Sequence, residues 1–313
     1  MSDITLRESV EFLREHDNFL ILTHIRPDGD TLGSAAALCH ALRRLGKQAH
    51  LFENPDTTDK YLPFVAEYWA EAGYSYETVI SVDLADARMF PRGFTGDVDL
   101  AFDHHPNGGG YARRRITWPH RSSCGELILA VLEELGGITP EEANLLYMAV
   151  STDTGCFVYA NINAETFHAA GRLLDLGARA PYLNNILFRT KRRARLLLEG
   201  YIYSTLRSYK NDQLNIAVIT LEMLEKAGAV ESDCEDLAGL AGLVAGSRVS
   251  VTIRELRPGH SKVSMRSDGT VSCTEVCKRF GGGGHLMASG CEMELSGHDT
   301  AEAMRKAIEE VWP

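Results

Sequence analysis

Residues 19–30 read Phe19-Leu20-Ile21-Leu22-Thr23-His24-Ile25-Arg26-Pro27-Asp28-Gly29-Asp30, an apolar run that passes directly into imidazole and carboxylate. Apolar residues over one strand length suit a strand covered on both faces, as in a parallel sheet. The polar tail then places His24, Asp28 and Asp30 beyond the strand's carboxyl end, where open α/β sheets bind ligands. Two further runs repeat the design. Thr78-Val79-Ile80-Ser81-Val82 leads into Asp83, and Val98-Asp99-Leu100-Ala101-Phe102 leads into Asp103-His104-His105. Three runs thus deliver His24, Asp28, Asp30, Asp83, His104 and His105 to one crevice, and Asp153, in Ser151-Thr152-Asp153-Thr154-Gly155, enters from the side after a predicted helix.

The intervening segments have helix length. Residues 33–45 read as one helix. Arg121-Ser122-Ser123 with Glu126 starts another that runs to about Leu135 and stops at Gly136-Gly137. Thr139-Pro140-Glu141-Glu142 opens a third, to about Ser151, with proline in the first turn and acids beside it. This alternation predicts an α/β domain over residues 1–185, a parallel sheet with helices on both faces. Residues 186–209 are helix-favouring and basic, with Arg189, Lys191, Arg192, Arg193 and Arg195, and read as a helical connector whose charge is in the first place a solvated face. Runs at 213–219, 248–253 and 262–266 and a final helix from Thr300 to Val311 predict a smaller α+β domain over residues 210–313.

A chain of 313 residues exceeds the roughly 250 at which single cores stop growing, which agrees with two domains. It is 44% hydrophobic and 24% charged and has no run near the length a membrane span needs, about 20 apolar residues. The mixed-charge N-terminus lacks the pattern of a secretory signal, so a cytoplasmic protein without a membrane role is expected. Seven scattered cysteines read as reduced, mostly buried thiols. A net charge of −11 is the wrong sign for tracking long nucleic acid, so an anionic substrate has to be captured locally.

Imidazoles and carboxylates in this number cannot share a small cleft without a cation to offset the charge and use the lone pairs. Two divalent cations fit the count. Nitrogen and oxygen donors without thiolate point to manganese or a similar first-row ion ahead of calcium, and do not demand zinc. A cation pair is the arrangement that activates water and clamps both oxygens of a phosphoryl displacement.

The stretch 24–34, Asp83, Asp103-His104-His105 and Ser151-Thr152-Asp153-Thr154-Gly155 together resemble the motifs of the DHH phosphoesterases, in order and over nearly the whole chain. Within that family the chain is most similar to bacterial nanoRNases that also act on 3′-phosphoadenosine 5′-phosphate (pAp). Their DHH-associated domain has segments like Val263-Ser264-Met265-Arg266-Ser267 and Phe280-Gly281-Gly282-Gly283-Gly284-His285. The resemblance implies that His24, Asp28 and Asp83 hold one metal, that Asp30, Asp83, His104 and Asp153 hold the other, and that Asp83 bridges them. It also implies that His105 faces the scissile phosphate while Asp103 orients its neighbours. Ser264, Arg266, Gly282, Gly283, Gly284 and His285 would bind substrate, the glycines as a nest of N–H groups for a phosphate. The chain departs from the subgroup at Ala288-Ser289-Gly290, where two alanines and a glycine are usual, which loosens what is implied about base or ribose recognition.

The resulting expectation is a manganese-dependent hydrolase that cuts short oligoribonucleotides (nanoRNA) to mononucleotides, pAp to AMP, or both. Its substrate is a short oligonucleotide or nucleotide bisphosphate held where a closing second domain leaves little room, with a homodimer as one possible assembly. A cyclic or linear dinucleotide phosphodiesterase would use the same motifs. A non-catalytic nucleotide-binding regulator would not need every ligand. Taken singly, His24 or Asp83 would be a hydrogen-bonded loop residue, the glycine run a tight turn and Arg266 a surface strand residue. Only the combination carries the reading.

Overall fold

The computed structural model describes residues 2–106, 109–234 and 237–313. They divide into two compact units, Met1–Thr190 and Lys191–Pro313, each built on its own six-stranded sheet.

The first unit contains, in chain order, β1 (Ser2–Asp3), α1 (Leu6–Glu15), β2 (Phe19–Leu22), α2 (Gly29–Arg44), β3 (Ala49–Leu51), α3 (Leu62–Val65), β4 (Thr78–Val82), β5 (Val98–Asp103), β6 (Ala112–Thr117), α4 (Cys124–Leu135), α5 (Pro140–Asp153), α6 (Ala164–Asp175) and α7 (Ala180–Asn184). Its strands lie in the order β1-β6-β5-β4-β2-β3 and every pair is parallel, as expected. From β2 the chain moves to β3 on one side and then to β4 on the other. The carboxyl ends of β2 and β4 therefore flank the point where the winding reverses, the usual ligand position in such sheets.

Phe19, Ile21, Ile80, Val82, Leu100 and Phe102 pack with residues of α1, α2, α4 and α5 in one large core. Leu20, Leu22, Val79 and Ala101 belong to a second cluster, on Phe52, Tyr74, Phe90, Phe94 and Tyr111. That double burial is why the strands are apolar without alternation. The second cluster corrects the expectation of helices on both faces. Right-handed connections after β4 and β5 must cross the face opposite to α2; they are short and carry aromatic side chains and one helical turn, Ala87–Met89, in place of longer helices.

Helix α2 starts at Gly29, earlier than residues 33–45 suggested, because Asp28 caps it: Oδ1 accepts the N–H groups of Asp30 (3.0 Å) and Thr31 (3.1 Å). Helix α5 continues past Ser151 to Asp153. The two helices approach closely, and a Cβ on Gly33 would stand 2.4 Å from the Leu145 carbonyl oxygen. A Cβ on Gly29 would stand 2.4 Å from Thr152 Oγ1. This contact brings the end of α5, with Asp153, beside the start of α2, with Asp30. Gly33→Ala, which elsewhere favours a helix, is expected to cost roughly 2 kcal/mol here because a backbone oxygen cannot move aside. A urea titration showing wild-type stability would contradict that.

The second unit contains α8 (Arg193–Thr205), β7 (Arg207–Tyr209), β8 (Leu214–Ile219), α9 (Leu221–Ala227), β9 (Val249–Arg257), β10 (His260–Ser267), α10 (Cys273–Lys278), β11 (Gly283–His285), β12 (Ala288–Met293) and α11 (Gly297–Val311). Its sheet has the order β11-β12-β10-β9-β8-β7, parallel only between β8 and β9. One hydrophobic cluster joins the sheet to α10 and α11, and another joins it to α8 and α9.

Residues 186–209 are not one helix. A π-helical turn at Asn185–Arg189 precedes α8, and Arg207–Tyr209 pair antiparallel with β8 after a reversal in which Lys210, Asn211 and Asp212 all have positive φ. Nor is the basic run an idle solvated face. Lys191 (2.8 Å) and Arg195 (2.7 Å) hold buried Glu199, and Arg192 (2.9 Å) holds buried Asp233.

Candidate metal centre

Three strand ends and two helix ends assemble the candidate site. Past β2, buried Asn54 donates from Nδ2 to Thr23 Oγ1 (3.0 Å) and to the His24 carbonyl (2.9 Å), fixing the main chain that carries His24. Thr31 donates from Oγ1 to the Val82 carbonyl at 2.8 Å, tying the start of α2 to the end of β4. Asp83 follows with φ 57°, a left-handed conformation that a non-glycine residue adopts at a cost. Past β5, Asp103 Oδ1 accepts the N–H groups of His104 (2.8 Å) and His105 (3.1 Å) and folds the turn back on itself.

Asp83 lies at the middle of the cluster. Its Oδ2 is 3.7 Å from His24 Nε2, and its Oδ1 is 3.3 Å from His104 Nε2. His24 Nε2 is also 3.6 Å from Asp28 Oδ1, while His104 Nε2 is 3.7 Å from Asp30 Oδ2 and 3.6 Å from Asp153 Oδ2. Four of these gaps, at 3.6 Å or more, are too long for hydrogen bonds, and the 3.3 Å approach of His104 does not make one to Asp83 Oδ1. They are what donors bound about 2.1 Å from a shared ion would show, since such donors stand about 3 to 4 Å apart. His24, Asp28 and Asp83 form one group able to hold a cation, and Asp30, His104 and Asp153 form another. A third grouping joins Asp83 and His104 to His105.

Hydrogen bonds behind the cluster aim the donors inward. Nδ1 of His24 lies 2.8 Å from the Ile25 carbonyl and Nδ1 of His104 lies 3.1 Å from the Arg121 carbonyl, so each Nδ1 carries the proton and each Nε2 presents a lone pair to the centre. Asp30 accepts at both oxygens from the first amides of α4, Cys124 (2.7 Å) and Gly125 (2.9 Å). Among the described residues Asp83 Oδ1 is buried without a hydrogen-bond partner, which a carboxylate oxygen in a folded protein rarely tolerates unless something else meets it. That orphaned oxygen, between two inward imidazoles and among carboxylates, fits a divalent cation and is hard to explain without one.

The electrostatics agree. Burial, and then the carboxylates of Asp83 and Asp153, push the Asp30 carboxyl well above its usual range. Burial, and then Asp28, do the same to Asp83. Burial alone would lower His24, but contact with Asp28 and Asp83 overrides it and raises the imidazole from 6.5 to about 9. A cation inverts both pressures. His105 differs: its Nδ1 lies 2.8 Å from Asp103 Oδ1, its side chain is 42% exposed, and no described residue bonds its Nε2.

All seven acidic and imidazole candidates from the three strand ends and α5 therefore meet, with Asp103 beside them. The supports that sequence reading did not single out are Asn54, Thr31 and the amides of Cys124 and Gly125. Asn54 has no motif spacing to reveal it, and backbone amides leave no trace in composition.

In the second unit, cross-strand register aligns Arg266, Ala288 and His285 in one row over β10, β12 and β11, with Ser264, Gly290 and Gly283 in another. Paired residues across a sheet project to the same face. The glycine run is not an open nest, which corrects that reading. The N–H groups of Gly281 (3.1 Å) and Gly282 (2.9 Å) donate to the Lys278 and Cys277 carbonyls at the end of α10, and Gly283–His285 form an edge strand. A Cβ on Gly282 would stand 2.2 Å from the Gly290 carbonyl oxygen, so close backbone packing requires glycine there.

Residues 18–150 match the DHH family, N-terminal domain, and residues 200–312 match the DHHA1 domain. The chain belongs to the DHH family of phosphoesterases and pairs that domain with a C-terminal DHHA1 domain. It is 33% identical over 296 residues, 93% of this chain and 88% of the relative, to the bifunctional oligoribonuclease and PAP phosphatase NrnA of Thermus thermophilus. It is 28% identical over 299 residues, covering 91% and 92%, to the protein of the same name from Bacillus subtilis. An exopolyphosphatase-related protein from Bacteroides fragilis shares the fold, with a TM-score of 0.86 at 24% identity over 97% of this chain and 95% of that one. Among the described residues no helix is long and apolar enough to cross a membrane.

Proposed function

We propose that this chain hydrolyses short oligoribonucleotides to mononucleotides and pAp to AMP, as the names of its NrnA relatives describe for those proteins. The observation that carries the reading is Asp83, whose two oxygens face the imidazoles of two separate ligand groups. His24, Asp28 and Asp83 hold one divalent cation, and Asp30, Asp83, His104 and Asp153 hold a second, with manganese the first candidate. When bound, such a pair supplies the Lewis acidity that acidifies a water and offsets charge on the phosphoryl oxygens.

His105 then acts at the reacting atoms. Asp103 accepts from the Nδ1–H and orients the ring, so that the imidazolium passes its second proton from Nε2 to the departing oxygen and is left as the neutral Nδ1–H tautomer. In the second unit Arg266, with its bidentate fork, and His285 in the same row receive the substrate's terminal phosphate, with Ser264 in the neighbouring row beside them. On this reading the first unit, Met1–Thr190, is the catalytic domain, and the second, Lys191–Pro313, which takes in most of the expected connector 186–209, is the substrate-binding domain.

The purified protein with manganese is to be offered a diribonucleotide, pAp, cyclic di-AMP and pyrophosphate separately. Turnover of the first two is expected. Turnover of pyrophosphate alone, or tight binding without turnover of any, rejects the proposal. His105→Asn is expected to cut kcat by roughly 10² to 10⁴-fold while manganese affinity is unchanged. A fall in metal affinity would instead make His105 a ligand.

A further inference from the structure

The loop that carries His24 and Asp28 also carries a cation that the roles above leave unused. Arg26 is exposed and sits at φ 53°, the left-handed region that strains any residue with a Cβ. Glycine would adopt that conformation freely. The strained residue is held between fixed points, with Pro27 after it and the Ile25 N–H donating to the Met89 carbonyl at 2.7 Å before it. No ion pair engages Arg26 among the described residues, although carboxylates crowd the neighbouring positions. Nearby arginines are committed: Arg88 to Asp86 (2.8 Å), and Arg121 to Glu126 (3.3 Å) and Glu165 (3.0 Å).

Charge balance gives the unused guanidinium a task. The carboxylates of Asp28, Asp30, Asp83 and Asp153 neutralise two divalent cations completely, so the loaded centre offers an incoming phosphate no net positive charge. A phosphate ester arrives anionic, and its equatorial oxygens need stabilising as water adds. An arginine whose fork is not spent on a metal ligand meets that need, because it binds two oxygens of one phosphate at once.

We propose that Arg26 grips the non-bridging oxygens of the scissile phosphate and is a catalytic residue of this centre. The inference rests on the phosphoesterase reading above. The test compares wild type with Arg26→Ala, Arg26→Lys and Arg26→Gly in steady-state turnover of pAp and of a diribonucleotide, in manganese titration, and in thermal melting. Arg26→Ala and Arg26→Gly should lose about 10²-fold in kcat/KM on both substrates alike. Arg26→Lys should recover part of that loss through its charge. Manganese affinity should stay at the wild-type value, and Arg26→Gly should melt no lower than wild type because the strained conformation is relieved.

Unchanged kinetics, a loss confined to pAp, or weakened manganese binding would each overturn the assignment, the last making Arg26 a support for His24 and Asp28. Wild-type turnover with an indifferent Arg26 sinks only this inference. If wild type turns over neither substrate, the phosphoesterase reading has failed, and calorimetric binding of inorganic phosphate to the manganese-loaded proteins still decides the contact. Roughly tenfold weaker binding by Arg26→Ala supports it, and equal binding overturns it.

Discussion

Asp83→Asn is expected to abolish turnover, by at least about 10³-fold, while making the metal-free protein more stable. The two effects have one cause. Asp83 is 3% exposed, its Oδ1 has no hydrogen-bond partner, and burial with the Asp28 carboxylate nearby lifts its carboxyl well above the usual range. Without a cation the charged form is therefore a liability, and a buried unsatisfied group of this kind costs about 1–3 kcal/mol. The amide keeps the shape, removes the charge and tolerates the left-handed backbone at φ 57°. It could not bridge two cations as the proposed centre requires. Thermal melting with chelator and with manganese checks both halves: the variant should melt above wild type with chelator, and only wild type should gain substantially from the metal. A wild-type manganese response in Asp83→Asn would show that this carboxylate is not the bridge.

The second large effect is on pH. Asp30 and Asp83 are raised above 3.8 and His24 is raised from 6.5 to about 9 in the metal-free centre. Each of these groups binds its proton more tightly folded than unfolded. Each therefore contributes stability that is complete below the unfolded pKa and is lost as pH rises through the folded one. For His24 that window runs from 6.5 to about 9. Cation binding requires neutral imidazole and ionised carboxylates, so it releases these protons and strengthens as pH rises. The metal-free protein should thus weaken between pH 6 and 9 as the metal-dependent gain in Tm widens. A gain in Tm that stays constant over that interval would show that these groups do not exchange protons for metal.

Much of this centre was legible in order along the chain. An apolar run ending in acid or imidazole, repeated at Leu22, Val82 and Phe102, already placed these side chains at the carboxyl ends of parallel strands. The register of Ser264, Arg266 and the Gly283–His285 strand was not legible, because which strands lie side by side depends on chain far away. The glycine run misled for a related reason. Residues without Cβ suit a phosphate nest and a tight backbone contact equally well, and only the position of β12 shows that Gly282 serves the contact.

The sequence by itself determined the donor set, its order and the two-domain plan, because residue type and strand-length hydrophobicity are local properties of a chain. Tertiary structure alone decided that Asp83 turns one oxygen to each imidazole, that Asp30 receives two amides from α4, and that α5 is close enough to bring Asp153 in. Those are distances between residues from about 20 to more than 100 positions apart, of the kind that the hydrogen bond from Thr31 to Val82 and the glycine contact of α2 with α5 set. Such distances follow from how buried surfaces fit together, which no local pattern of residues encodes.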